Sequence, residues 1–177
     1  VSIDTYKSRV AEAALDAGAD LVNDIWGLKY DSDLAGVIAR KNVPCCLMHN
    51  RKEPDYTDFI ADFLKDMQET IDIAKKAGIA DENIILDPGV GFGKTYENNL
   101  EIINKLECMH ALGYPILLGT SRKSVIGLTL DLPADQRMEG TVATTVIGVM
   151  KGVAFVRVHD VKENYRALKM TEAILGR

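Results

Sequence analysis

The chain has 177 residues, 47% of them hydrophobic, which is enough for one domain with a real core, and no apolar run approaches the ~18–20 residues that cross a bilayer. A formal net charge of -5 with 6% aromatic residues argues against a nucleic-acid surface, which concentrates Lys and Arg to neutralise phosphates. The amino terminus, Val1-Ser2-Ile3-Asp4, has neither a basic region nor an apolar stretch of a secretory leader, so the expected setting is cytoplasmic and the expected partner a small molecule.

Ser2-Ile3 reads as a short buried strand ending at Asp4, with a helix predicted over residues 7–17. Leu21-Val22 leads into Asn23-Asp24 and a helix over 32–40. Cys45-Cys46-Leu47-Met48 leads into His49-Asn50, then Arg51-Lys52-Glu53-Pro54-Asp55, expected to be a solvated loop, and a helix over 56–77. Ile84-Ile85-Leu86 ends in Asp87, and after a glycine-rich stretch a helix is predicted over 97–112. Ile116-Leu117-Leu118 runs into Thr120-Ser121-Arg122-Lys123, a short helix starts after Lys123, and a longer one covers 137–151. Ala154-Phe155-Val156 ends in Arg157 and His159 before a last helix over 162–175.

Gly18, Gly78, Gly113 and Gly152 stand where left-handed residues end helices. Continuous apolar runs alternating with helices predict a parallel sheet buried on both faces, with right-handed crossovers. In open α/β sheets and in barrels of this kind the ligand sits at the carboxyl ends of the strands, so the six polar clusters predict one active site. No linker or repeat divides the chain, and its opening inside a strand suggests that an amino-terminal part lies outside it. The three cysteines cannot all pair; adjacent Cys45 and Cys46 face opposite sides of a strand, and with Cys108 they read as reduced packing residues.

Asp87-Pro88-Gly89-Val90-Gly91-Phe92-Gly93-Lys94-Thr95 ends like a Walker A loop, but proline occupies position 88, where its first glycine belongs. Gly89 and Gly91 also lack the third glycine of a dinucleotide fingerprint. Two readings are open: a strand-end carboxylate with glycines that bring the backbone near a ligand and Phe92 as a ring face, or a flexible turn with a solvated Asp.

That loop with Glu97-Asn98-Asn99-Leu100, together with Asn23-Asp24-Ile25-Trp26-Gly27, Met48-His49-Asn50-Arg51, Gly119-Thr120-Ser121-Arg122-Lys123-Ser124 and Arg157-Val158-His159-Asp160, resembles the dihydropteroate synthase family over the whole chain. The resemblance implies a TIM-type (β/α)8 barrel, with this single pterin-binding domain holding the third to eighth β-α units. It implies transfer of a pterin methylene from 6-hydroxymethyl-7,8-dihydropterin pyrophosphate to p-aminobenzoate in folate biosynthesis. Asp4, Asn23, Ile25, Met48, Asp87 and Lys123 would bind pterin, and Phe92 and Ser124 would meet p-aminobenzoate. Arg157 and His159, two residues apart on one strand face, would hold phosphate, and with Lys123 they are the catalytic candidates. Magnesium is the implied cofactor, its family Asn ligand lying outside this chain, and a homodimer is the implied assembly.

Plainer roles stay open. His159 can be structural, His49 can cap its loop, His110 reads as structural or exposed, Arg122 as a support for Lys123, and Asp24 and Asp160 as ion-pair or loop-fixing residues. Two other functions compete: a pterin-binding methyltransferase domain, which has no need of the lysine and Arg-x-His groups together, and a fragment that binds pterin with weak catalysis.

Overall fold

The computed structural model describes residues 1–176. Among these, six strands alternate with helices: β1 Ser2–Asp4, β2 Leu21–Asp24, β3 Cys45–Met48, β4 Ile84–Asp87, β5 Leu117–Leu118 and β6 Phe155–Val156. The helices are α1 Ser8–Asp16, α2 Leu34–Lys41, α3 Phe59–Ala77, α4 Tyr96–Asn104, α5 Ser124–Leu130, α6 Met138–Met150 and α7 Val161–Leu175. Every strand pair is parallel and sequential, β1-β2-β3-β4 and β5-β6, and a parallel bridge between Leu86 and Ile116 joins the two groups. Strand order that never reverses is that of a barrel arc rather than a doubly wound sheet, which changes direction at a switch point.

The register decides which side chains meet. Asp4 pairs with Asn23 and Met48 with Asp87, while Asn23 pairs with Cys46, two residues before Met48, so the polar strand ends share the inner face with a two-residue stagger between β2 and β3. Their alternates Val22, Cys45, Leu47, Ile84 and Leu86 point to the helices and form the core with Leu34, Ile38, Phe63, Met67 and Ile71. Apolar residues of α3 recur every three or four positions, at Phe59, Phe63, Met67, Ile71 and Ala74. Asp58 caps this helix by accepting from the Ala61 amide, which starts it at Phe59 rather than at the expected residue 56, and left-handed Gly78 stops it.

The helix expected over 97–112 divides. Thr95 and Asn98 form a capping box for α4, which ends at Asn104, and a tighter 3-10 segment then covers Leu106–Leu112. Three residues per turn put Leu106 and Met109 on one side, both fully buried, until Gly113 turns left-handed. The edge strands β1 and β6 are short and partly exposed, and Phe155 is 47% accessible. No helix among the described residues is long and apolar enough to cross a membrane.

Candidate active site

The carboxyl ends of β2 to β6 enclose a recess of about 300 Å3. Asn23 and Ile25 line it from β2, Met48 from β3, Asp87 and Phe92 from β4 and its loop, Gly119, Ser121 and Lys123 from β5, and Arg157, Val158 and His159 from β6. Two expected residues stand elsewhere. Asp4 lines a neighbouring hollow of about 310 Å3 that shares Ile25, and Ser124 is exposed in the first turn of α5, away from the recess lining. A larger apolar groove of about 620 Å3 between α4, α5 and α6 contains no strand residue and none of these polar ends.

Asp87 is the buried carboxylate of the recess. Its Oδ1 accepts from the Gly89 amide at 2.7 Å, while Oδ2 has no partner within the described residues and is not sealed off, so it is open to a ligand. Burial raises its pKa, opposed first by the charge of Lys123 and then by the Gly89 amide. Lys123 donates to the Val90 carbonyl and lies 4.7 Å from the centre of the Phe92 ring. Burial lowers its pKa and Asp87 opposes the shift, so each charge limits the other's cost in the low-dielectric site. Asn23 donates to Asp4 Oδ1 at 2.9 Å and keeps its carbonyl oxygen as an acceptor.

Arg157 donates to Asp4 Oδ2 at 2.5 Å, an ion pair whose side chains are 63% and 51% exposed. Such a pair is weak and gives way to a better anion. Ser121 Oγ accepts from the His159 amide at 3.0 Å and lies 2.8 Å from His159 Nδ1. A hydroxyl that accepts from the amide can give its proton to Nδ1, and in that tautomer Nε2 carries the ring N–H. Arg122 forms a two-point ion pair with Asp160 at 3.1 and 2.6 Å, and its left-handed backbone is held by Thr141. Asp24, fully buried, accepts from the Trp26 and Leu28 amides and fixes the turn after β2. His110 bonds the Lys151 carbonyl.

The glycine-rich loop is laid against the chain itself. A Cβ on Gly89 would lie 1.9 Å from the His49 carbonyl oxygen, and one on Gly93 2.4 Å from that of Arg51, and both residues have positive φ. Lys94 turns inward, bonding His49 Nδ1 at 2.8 Å and the carbonyls of Gly89 and Phe92 at 3.0 Å each. His49 Nε2 lies 3.0 Å from Asp66, which also takes Arg51 Nε at 2.6 Å. Arg51 is therefore not in a solvated loop: it is tied to Asp66 and stacks 4.3 Å from the Tyr56 ring centre. Burial pushes the His49 pKa down to about 4, and it pushes Lys94 down to about 7 against the attraction of Asp87. Burial alone would raise Asp66, but the bonds from His49 and Arg51 hold it well below the usual carboxylate range.

The family described as pterin binding enzyme matches residues 1–159. This chain belongs to the pterin binding enzyme family. Dihydropteroate synthase of Clostridium beijerinckii is 66% identical over 178 positions covering 100% of this chain and 66% of its own length. That of Bacillus subtilis is 54% identical over 100% of this chain and 62% of its own length. Among solved structures, dihydropteroate synthase of Clostridium difficile in the presence of pteroic acid superposes with a TM-score of 0.97 at 49% identity, covering 99% of this chain and 67% of that one. Yersinia pestis dihydropteroate synthase in a sulfonamide drug complex gives 0.94 at 38% identity, covering 99% and 66%. The chain spans 66% and 62% of the length of these two relatives, and its six units form part of a TIM-type barrel.

Proposed function

We propose that the whole protein to which this chain belongs is a dihydropteroate synthase, joining 6-hydroxymethyl-7,8-dihydropterin pyrophosphate to p-aminobenzoate with release of pyrophosphate. The observation that carries this reading is the open oxygen of buried Asp87 beside Lys123, with Arg157 and His159 on the same recess. A pterin edge offers an N–H and an amino group to a carboxylate, and its carbonyl suits the Lys123 ammonium. Asn23 adds a further acceptor, Ile25 and Met48 give apolar walls, and Asp4 joins if Arg157 releases it.

The amine lone pair attacks the methylene carbon, the carbon–oxygen bond breaks with its electrons going to pyrophosphate, and the amine then loses a proton. The leaving group gains charge, so guanidinium and imidazole N–H groups at the rim would act there. An arylamine is neutral near pH 7, and no strong base is needed. Phe92 gives its ring face to aminobenzoate; Ser124, exposed at the helix start, would take the carboxylate from outside the recess.

Magnesium belongs to the implied chemistry, but among the described residues no three His, Cys, Asp or Glu side chains gather as a cation site. The recess gathers Lys123, Arg157 and His159, a set suited to an anion. These residues do not fit magnesium. The reading further includes one barrel domain completed outside this chain, a cytoplasmic setting and a homodimer; exposed Ile147 and Met150 on α6 support an interface there. Calorimetry of the whole protein with the pterin pyrophosphate, with and without p-aminobenzoate, tests the function. Failure to bind the pterin ligand, or binding unaffected by loss of Arg157, would overturn it.

A further inference from the structure

We propose that Lys94 is a positioning residue: its ammonium ties both ends of the Gly89–Phe92 turn to His49 and thereby sets where the Phe92 ring stands in the recess. The inference rests on the reading of that recess as the pterin and aminobenzoate site.

An ammonium has three N–H donors, and Lys94 has three acceptors within 3.0 Å: His49 Nδ1, the Gly89 carbonyl and the Phe92 carbonyl. Nδ1 accepts only if the ring is neutral with its proton on Nε2, which Asp66 then receives. Asp66 is held in place by Arg51, and the Tyr56 hydroxyl under Arg51 donates to the Gly93 carbonyl at 2.6 Å. A continuous chain of bonds therefore runs from Asp66 on α3 through His49, the residue after β3, to both ends of the turn. On the recess side the turn presents Phe92, while Lys123, which reaches the Val90 carbonyl, has its own backbone fixed at the cap of α5. None of Lys94, His49 or Asp66 lines the recess. The charges facing Lys94 are Asp87, Lys123, Asp66 and Arg51, and burial outweighs their balance.

Two properties separate positioning from general stability. Asp87 and Asn23 are anchored on strands and Lys123 at the cap of α5, so pterin affinity should depend little on the turn, whereas contact with the second substrate should depend on it. In the whole protein, Lys94→Met should raise the KM for p-aminobenzoate at least ~10-fold while leaving the dissociation constant of the pterin pyrophosphate within about threefold. Combined with Phe92→Ala, Lys94→Met should add almost nothing to that KM, because its route to the substrate is already cut. His49→Gln, which keeps a donor near Asp66 and loses the acceptor for Lys94, should resemble Lys94→Met, and His49→Asn, which keeps that acceptor, should be milder. These two variants carry the test if Lys94→Met does not fold.

Hydrogen exchange decides the clamp without any ligand. The Gly91 amide bonds Asn99 Oδ1 at 2.5 Å and the Phe92 amide bonds the Gly89 carbonyl at 3.0 Å. Both should exchange at least ~10-fold faster in Lys94→Met while amides of α3 do not change. Unchanged exchange at these two amides, equal losses for both ligands, or additive effects with Phe92→Ala would overturn the proposal. Faster exchange in a protein that binds no pterin would instead sink the functional reading and leave the clamp standing.

Discussion

Replacing Asp87 by Ala tests the centre of the recess most directly. The carboxylate has one oxygen on the Gly89 amide and the other free. Removal leaves two ligand donors and one amide without acceptors, and leaves buried Lys123 without its neutralising neighbour. Bonds to a charged acceptor contribute about 1.5–3 kcal/mol each, partly recovered by water, so a net loss of about 2–4 kcal/mol is expected. At 1.4 kcal/mol per decade this is roughly a 30- to 700-fold weaker dissociation constant for the pterin pyrophosphate, read by calorimetry on the whole protein. Asp87→Asn should cost less, because its single oxygen can serve Gly89 or the ligand though not both. In the parent protein, affinity should also fall on the acid side with uptake of one proton, at a pH above the ordinary 3.8, because burial raises the pKa of Asp87 and the ligand donors need its ionised form. Affinity of Asp87→Ala within twofold of the parent would refute the assignment.

Arg157→Ala should weaken the pyrophosphate ligand by about 1.5–3 kcal/mol and hardly affect the bare hydroxymethyl pterin, measured by the same titration; equal losses would show that the side chain does not read phosphate. His49 stays neutral in the fold down to about 4 but protonates near 6.5 when unfolded, so the unfolded chain binds more protons between these values. Stability should therefore rise with pH across that window, and denaturation midpoints of His49→Gln should show a flatter dependence there. Phe63→Ala, at a fully buried position on α3, should destabilise by about 3–5 kcal/mol in chemical denaturation; a change below 1 kcal/mol would mean the core is not packed as described. The 177-residue chain alone should form dihydropteroate at least ~10²-fold more slowly than the whole protein at equal folded concentration, and comparable rates would place the full catalytic apparatus within it.

Strand positions and their polar ends were legible because a buried parallel strand leaves a short apolar run with a chemical change at its end, as at Leu86-Asp87. The resemblance then singled out Asn23, Asp87, Lys123 and Arg157 among those ends. What escaped depends on contacts distant in sequence. Lys94 looked like the close of a failed phosphate loop, and only folding shows it turned toward His49, 45 positions away. Arg51 sat in a charged stretch whose partner, Asp66, is about two turns into the next helix. Ser121 was quoted only as part of a motif, and its hold on His159 depends on β5 lying beside β6. The break after Asn104 was hidden because 3.0- and 3.6-residue turns give nearly the same apolar spacing over one turn.

The shared inward face of the strand ends has a consequence for how this chain tolerates changes in length. Asn23 faces the recess and Asp24, the next residue, faces outward to tie down the following turn. A single residue inserted into β2 would exchange the two, aiming the turn's anchor at the ligand and burying the ligand's acceptor among helices. The same holds for Leu86 and Asp87 in β4. Insertions are therefore confined to exposed connections such as Lys52–Asp55, while the strands can vary by substitution alone.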